Sequence, residues 1–575
     1  MYSATNREIA KILKELAAFL EAEEVPFKPR AFEKAASTIE AMDEELAELY
    51  KKGGVKALDT VPGVGKGIAE RIEELFKSGR IKDYEKLKKK YPVNMEEITS
   101  IEGFGPKSAL KLYKKLKIKS VADLEKAAKA GRIRKLAGFG EKSEEKILKG
   151  IEFLKKSGGR VVLGFILPTV REIEAKLKSL KEVEKITVCG SVRRMQETIG
   201  DIDILVTSTH PRAVAGYFAS MPETTHVYSK GDTKTMVRLK IGLDADLRVV
   251  KPSSYGAAVQ YFTGDKSHNI ALREIAIKKG YKLNEYGLFK GKKIVAGRSE
   301  EEIYEKLGLA WIPPELRTNS GEIEAAKAGK LPKLVEYGSL RGDLQVQTNW
   351  TDGQNSIEEM ARAAMEFGLE YVAITDHTGR LAMTHGLDEK RILKQWMEID
   401  KVQKKIGGKI KILKGSECDV LEDGSLDLPD KILSKLDVVG AALHSRFKLS
   451  RKEQTERIKK AMTNSHVDII FHPTARIIGR REAYDVDMDE IIKTAKKTGT
   501  VLEIDAYPVR LDLKDEYVRK CVEAGVKMSI DSDAHSVVHF QYLELGIAQA
   551  RRGWATKNDI INAWPLEKML EMLKK

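Results

Sequence analysis

Cysteine is scarce. The 575 residues hold three, Cys189, Cys418 and Cys521, far apart and without CxxC spacing. That excludes a disulfide framework and a zinc ribbon and points to a reducing compartment. Long apolar runs are also missing, so no membrane span is expected and a soluble intracellular protein is. The opening segment MYSATNREIAKILKELAAFLEA has apolar residues at helical spacing mixed with charges, which reads as an amphipathic helix rather than a signal peptide. Acid is outnumbered by base, 86 to 101, for a net charge of +15 and a pI of about 9.2. This suits a polyanionic partner, nucleic acid first, although charge kept for solubility would look the same. With 42% hydrophobic and 33% charged residues the chain is globular, and its length suits about four domains.

One stretch organises the rest: VCGSVRRMQETIGDIDILV, Val188 to Val206. An apolar run leads into Gly190-Ser191, the pair Arg193-Arg194 follows, and Gly200 turns into Asp201-Ile202-Asp203-Ile204. Acid alternating with apolar is the pattern of a strand with one buried face, and it puts Asp201 and Asp203 on the same side. Carboxylates about 6–7 Å apart on a strand repel unless a cation lies between them, and a hard ion such as Mg2+ takes oxygen ligands. The Gly-Ser turn offers N–H groups and a hydroxyl to phosphate, and the arginines offer charge. Two-metal phosphoryl or nucleotidyl transfer needs this set. DxD alone would read as a solvated polar edge. A later strand, DADLRVV, brings Asp246 as a third carboxylate, with Asp244 on the same face as its rival.

Residues 1–150 read as helices joined by three similar turns. These hold Gly63 and Gly65, Gly103 and Gly105, and Gly138 and Gly140. This is a helix-hairpin-helix repeat, in which each following helix offers N–H groups to backbone phosphate without reading bases. A single copy would be an ordinary glycine-capped turn.

GSVRR…GDIDIL, DLRVV, then Tyr255-Gly256-Ala257 through Tyr261-Phe262-Thr263-Gly264, His268-Asn269 and Arg273, and Lys282 to Leu288, resemble a family X DNA polymerase, the family of DNA polymerase beta, over roughly residues 1–317. The resemblance implies a palm in which Asp201, Asp203 and Asp246 hold two Mg2+ ions. It implies that Gly190, Ser191, Arg194 and Gly200 bind the triphosphate of a dNTP, and that Tyr261, Phe262 and Gly264 form a cis-bond turn beside the sugar. By the same resemblance Asn269 and Arg273 touch the nascent base pair and template, Arg248 joins the DNA contacts, and Lys266 stands where polymerase beta has an aspartate. PFKPRAFEKAASTIE with VPGVGKGIAERIEELFKSGRI resembles the lyase domain of that polymerase. Its Schiff-base lysine falls on Arg71, which stays protonated. That argues against lyase chemistry and leaves Lys28, Lys34 and Lys66 as 5′-phosphate binders or as substitutes for the missing amine.

After residue 337 histidines and acids recur at the ends of β-branched runs, with helices between. This is a β/α barrel pattern, with ligands at the carboxyl ends of strands. A lone histidine there would be structural more often than not; this many clusters fit metals better. The segment resembles the polymerase and histidinol phosphatase (PHP) domain carried by prokaryotic family X polymerases. The resemblance implies Asp352, His377, Glu417, His444, His472, Asp533 and His535 as ligands for Mn2+ or Zn2+. The family's first-strand His-x-His pair is Gln345 and Gln347 here, and an amide is a weak ligand beside imidazole. One metal position is therefore expected to be crippled.

The fold expected is multidomain α and α/β: helical hairpin repeats, a nucleotidyltransferase palm with a mixed sheet, and a carboxyl-terminal PHP-type barrel. The expected domains are a lyase-like helical domain at 1–90, a fingers-like hairpin domain at 91–155, the palm at 156–255, a nucleotide-selecting thumb-like domain at 256–317, a linker at 318–337 and the PHP domain at 338–575. The expected function is template-directed gap filling in DNA repair by a cytoplasmic, nucleoid-associated monomer acting on gapped or primed duplex DNA and dNTPs, with PHP nuclease activity impaired by the glutamines. The alternative is a metal-dependent 3′-5′ exonuclease or AP-endonuclease as the main activity. A third reading, a non-catalytic DNA-end binder, predicts no metal-dependent turnover and sits poorly with an intact aspartate trio.

Overall fold

The chain opens in a run of helices from Asn6–Ala22 to Glu141–Lys156 around their own apolar core. In this computed structural model residues 4–42, 44–99, 101, 104–156, 159–380 and 384–573 are described. The first helix starts where a capping box satisfies its free N–H groups: Thr5 and Glu8 exchange hydrogen bonds. Gly65 and Gly105 are the N-caps of Lys66–Ser78 and Pro106–Leu116, and Gly140 immediately precedes Glu141–Lys156. Gly63 and Gly138 have φ of +78° and +87°, a conformation that suits glycine. Gly103 lies outside the described residues.

A five-stranded mixed sheet follows, in the order Val183–Val188, Asp201–Ser208, Asp244–Val250, Lys234–Leu239, Thr224–Lys230. Ile202, Ile204 and Val206 are buried on one face, as the alternation requires. The two aspartate-bearing strands run parallel, with Asp203 opposite Asp246 and Asp201 opposite Asp244. The outer strand Thr224–Lys230 has no sequence signature: its side chains are nearly all exposed, so no apolar alternation marks it. Next come the helices Tyr255–Thr263 and Lys266–Lys278, a small antiparallel sheet of three strands, and the helix Glu300–Lys306.

The stretch read as a polar linker is partly packed. Ile323 and Ala326 of the helix Glu322–Lys327 join the apolar core of this region. Glu322 is fully buried and accepts from His268 at 2.7 Å and from two backbone N–H groups.

The last part is a sheet of seven parallel strands in sequential order, Gly342–Val346 to Met528–Asp531, with helices between. Val346 pairs with Ala534, and Asn562 bonds Gly342 and Ile530, so first and last strands nearly close a barrel. Strands such as Val438–Ala442 are continuous apolar runs, as full burial demands, while Val501–Asp505 is equally buried and carries Glu503 and Asp505. One apolar core runs through both the five-stranded sheet's layer and the barrel. Glu197, in the loop after Arg194, receives two bonds from Arg476 of the barrel, at 2.6 and 3.2 Å. A Cβ on Gly164 would lie 2.5 Å from Leu545 and 2.8 Å from Pro508, both in the barrel. No helix among the described residues is long and apolar enough to cross a membrane.

Candidate active sites

The first site sits where the parallel strands present their acids. Burial pushes the Asp203 carboxyl up to about 6, and the charges of Asp201 and Asp246 push it the same way. Asp246 lies 3.1 Å from Lys234 and 3.9 Å from Arg248. The rival Asp244 is held at 2.9 Å by Arg238, so register and charge coupling bring Asp246, not Asp244, to Asp203. Gly190 starts the short helix Gly190–Arg193 with φ +62°, and a Cβ there would lie 2.7 Å from an Asp203 carboxylate oxygen. Only glycine lets this turn approach the acids so closely. Ser191 is half-buried in the same turn, and Gly200 is exposed immediately before Asp201.

The two arginines have different fates. Arg193 turns inward, donating to Thr263 at 2.6 Å and to Glu300 at 3.0 and 2.7 Å. The reading of both as phosphate contacts is corrected for Arg193, whose charge is spent on Glu300. Arg194 donates to the Thr263 carbonyl, and a Cβ on Gly264 would meet its guanidinium at 3.0 Å. A cis peptide joins Gly264 to Asp265. Tyr261 and Phe262 stack edge to face with centroids 5.1 Å apart, and Arg248 lies 4.5 Å over Phe262. Both ends of the Asn269 amide are engaged, by Gln260 and by the Tyr261 carbonyl, each at 2.7 Å. Arg273 is exposed and bonds the Asn269 carbonyl at 3.2 Å. Sequence reasoning missed Glu300, which accepts from Arg193, from buried Arg317 at 2.5 Å and from Trp311 at 3.2 Å. Its run SEEEIYEK looks like any acidic helix start.

In the helical region Lys28 and Lys66 are exposed at helix starts. Lys34 instead faces the barrel, 3.3 Å from the Gly353 carbonyl. Arg71 bonds Asp83 at 2.7 Å and lies over Phe32.

The second site is centred on Glu417, buried at the end of the strand Lys411–Asp419. One carboxylate oxygen meets His472 at 2.9 Å and His444 at 3.1 Å; the other meets His377 at 3.3 Å. Burial alone would raise Glu417; the imidazoles more than offset it and hold the carboxyl well below its ordinary value. Among the described residues two trios bring ligand atoms within 4.8 Å of one another, Asp352 with His377 and His535, and His377 with Glu417 and His444. Imidazole with carboxylate is a donor set for Zn2+ or Mn2+, and each trio by itself fits a divalent ion, with His377 common to both. The palm acids are not among these trios, but three crowded carboxylates fit hard divalent ions by donor chemistry. The Gln345–Gln347 position does not fit. The Gln347 amide donates to Glu417 at 2.7 Å, presenting N–H where a ligand needs a lone pair, and the Gln345 amide is buried with neither end partnered. Asp533 lies 3.7 Å from His535 and 3.5 Å from Arg510.

A mixed sheet bearing such an acid trio beside a glycine turn, joined to a parallel barrel with histidine and carboxylate clusters, defines a nucleotidyltransferase fused to a metallohydrolase-type barrel. Family models agree segment by segment: a helix-hairpin-helix domain at 4–81, a SAM-like helix-hairpin-helix tandem at 95–152, DNA polymerase beta palm at 168–237, DNA polymerase beta thumb at 258–318 and PHP domain at 343–507. The chain is 37% identical over 575 residues, 99% of both chains, to the DNA polymerase/3′-5′ exonuclease PolX of Bacillus subtilis (strain 168). It is 32% identical over 230 residues to a probable phosphatase of Thermoanaerobacter sp. (strain X514), covering 38% of this chain and 88% of that one. A Leishmania infantum polymerase beta ternary complex matches 39% of the chain and 97% of its own at 25% identity, with a TM-score of 0.26, a value that says nothing of domain placement here. The chain belongs to the family X DNA polymerases that carry a carboxyl-terminal PHP domain.

Proposed function

We propose that the chain fills short gaps in duplex DNA, extending a primer 3′-hydroxyl with dNTPs under template direction. The primer oxygen attacks the α-phosphorus, a new O–P bond forms, the bond to the bridging oxygen breaks and pyrophosphate leaves. The observation that carries this reading is Asp203 in register with Asp246, beside a glycine turn that touches its carboxylate. In this reading Asp201 and Asp203 face the triphosphate, and Asp246 completes the set towards the primer hydroxyl. Divalent ions, Mg2+ by donor type, would supply charge neutralisation and a more acidic hydroxyl there. Arg194 and the Gly190–Ser191 turn hold phosphate oxygens; Tyr261, Phe262 and Gly264 wall the sugar; Asn269 and Arg273 reach the nascent pair once Asn269 exchanges its present bonds. The hairpins with Gly63, Gly65, Gly105, Gly138, Gly140, Lys28 and Lys66 grip backbone phosphate, and the protein works as a cytoplasmic monomer. The test is extension on gapped DNA by Asp203→Ala beside wild type, with DNA affinity measured in parallel. Extension should vanish while affinity stays; near-normal extension would refute the site.

In the barrel we assign divalent ions, Mn2+ or Zn2+, to Asp352, His377, Glu417, His444 and His535, with His472 against Glu417. Nuclease activity there is weak because the first-strand pair is amide.

A further inference from the structure

The amide position of the barrel has a cation of its own. Arg510 follows the strand Val501–Asp505, in the turn Tyr507-Pro508-Val509-Arg510. Its Nε lies 3.2 Å from an Asp505 carboxylate oxygen and 3.5 Å from an Asp533 oxygen. Asp505 is fully buried and Asp533 nearly so, while the Arg510 side chain keeps 22% of its exposure. Arg510 also acts electrostatically on Glu417 and His472. Asp533 immediately precedes Ala534, which pairs with Val346 between the two glutamines, so through Asp533 Arg510 reaches the edge of the place where they offer nothing to a metal. Gln345 has both amide atoms buried and unpartnered, and Gln347 has turned its N–H to Glu417.

We infer that the guanidinium of Arg510 takes the place of one metal ion, so that the barrel holds two divalent cations and one fixed organic cation. This rests on the assignment of divalent ions to the barrel made above. The chemistry differs from that of a full metal set. A guanidinium brings Asp505 and Asp533 a fixed positive charge that partly offsets the burial raising Asp505, and can donate to a phosphate oxygen, but it has no open coordination position and cannot acidify a bound water. Two amides opposite an arginine make a consistent set, since a third dication beside Arg510 would meet like charge and a donor N–H. Imidazoles at 345 and 347 would not by themselves admit the ion while Arg510 remains.

The experiment counts ions in the full-length chain. Protein carrying Asp201→Asn and Asp203→Asn, so that the palm contributes none, is stripped with chelator, reloaded with Mn2+, desalted and measured by plasma mass spectrometry. The expected counts are two for this background, two after adding Gln345→His with Gln347→His, and three after adding Arg510→Ser to both. Arg510→Lys in the same double-histidine background should stay at two, because the charge remains. Circular dichroism and melting confirm folding, and Arg510→Met replaces Arg510→Ser if that variant does not fold. A count of zero in the background overturns the metal reading itself. A count of three in the background or in the double-histidine variant, or of two with Arg510 removed as well, overturns the role of Arg510.

Discussion

Glu300→Gln removes one charge and almost no volume. The Glu300 carboxyl is 5% exposed and faces two guanidinium groups and an indole N–H. Burial alone would raise its pKa; Arg317 and Arg193 more than offset that and hold it down to about 2, against an ordinary 4.5. At 1.36 kcal/mol per pKa step this difference corresponds to ~3 kcal/mol of stability at neutral pH. The same order, about 3–5 kcal/mol, is found when one partner of a buried ionic group is removed. The unfolded chain takes up the proton near 4.5 and the folded chain only near 2. The contribution is therefore complete above pH 4.5 and is lost as pH falls through about 2. Because several domains are present, a single melting curve would blur the effect. Amide hydrogen exchange of the helices Lys266–Lys278 and Glu300–Lys306 reads it locally. Protection there should fall about 200-fold in Glu300→Gln at pH 7, while the helices before residue 156 stay unchanged. Arg193 should release Thr263 as well, so kcat/KM for dNTP should drop with DNA affinity intact. Protection within twofold of wild type at pH 7 would refute the account of Glu300 as the anion that buried Arg317 and half-buried Arg193 require.

Asp246→Asn should abolish primer extension, whereas Asp244→Asn should cost little beyond its Arg238 contact; equal losses in a gapped-DNA assay would reopen the choice between them. Gly190→Ala should lower kcat sharply, because its Cβ would lie 2.7 Å from the Asp203 carboxylate, and steady-state extension at saturating dNTP checks it. Affinity for gapped DNA should fall steeply with salt, and deleting residues 1–150 should weaken it while leaving some transfer on long primers; salt titration of a labelled gap reads both. Arg476→Met should cost about 1.5–3 kcal/mol, the worth of hydrogen bonds to a charged group, because Glu197 keeps Gln549 at 3.0 Å and Arg552 at 3.9 Å; a lower melting temperature of the palm with the barrel reads it.

The aspartate strands were legible because their alternation is local: two residues per repeat and one buried face. The hairpins were legible because a glycine frame occurs three times, and the barrel because histidine or a carboxylate recurs at the ends of most of its strands. Which of Asp244 and Asp246 joins the trio was not legible, since both share a face and the choice depends on strand register and on Arg238 across the sheet. Arg193 and Arg194 are neighbours in sequence, and only the distant Glu300 and Arg317 separate their roles. Lys34 was read as a free phosphate binder, yet it is turned to Gly353, more than three hundred residues away. The strand Thr224–Lys230 carried no signal because a sheet edge in water needs no apolar face.

The apolar core that continues from the palm layer into the barrel makes the second domain a wall of the first. Gly164 seated on Leu545 and Pro508, with Glu197 clasped by Arg476, ties the loop of the nucleotide site to the rim of the barrel. Substitutions at positions such as Gln345 and Gln347, buried inside the barrel, would change its interior and leave this wall standing. Excising the domain would instead lay bare a palm surface that has never met water. Loss of chemistry inside the barrel and loss of the wall it forms are thus separable events.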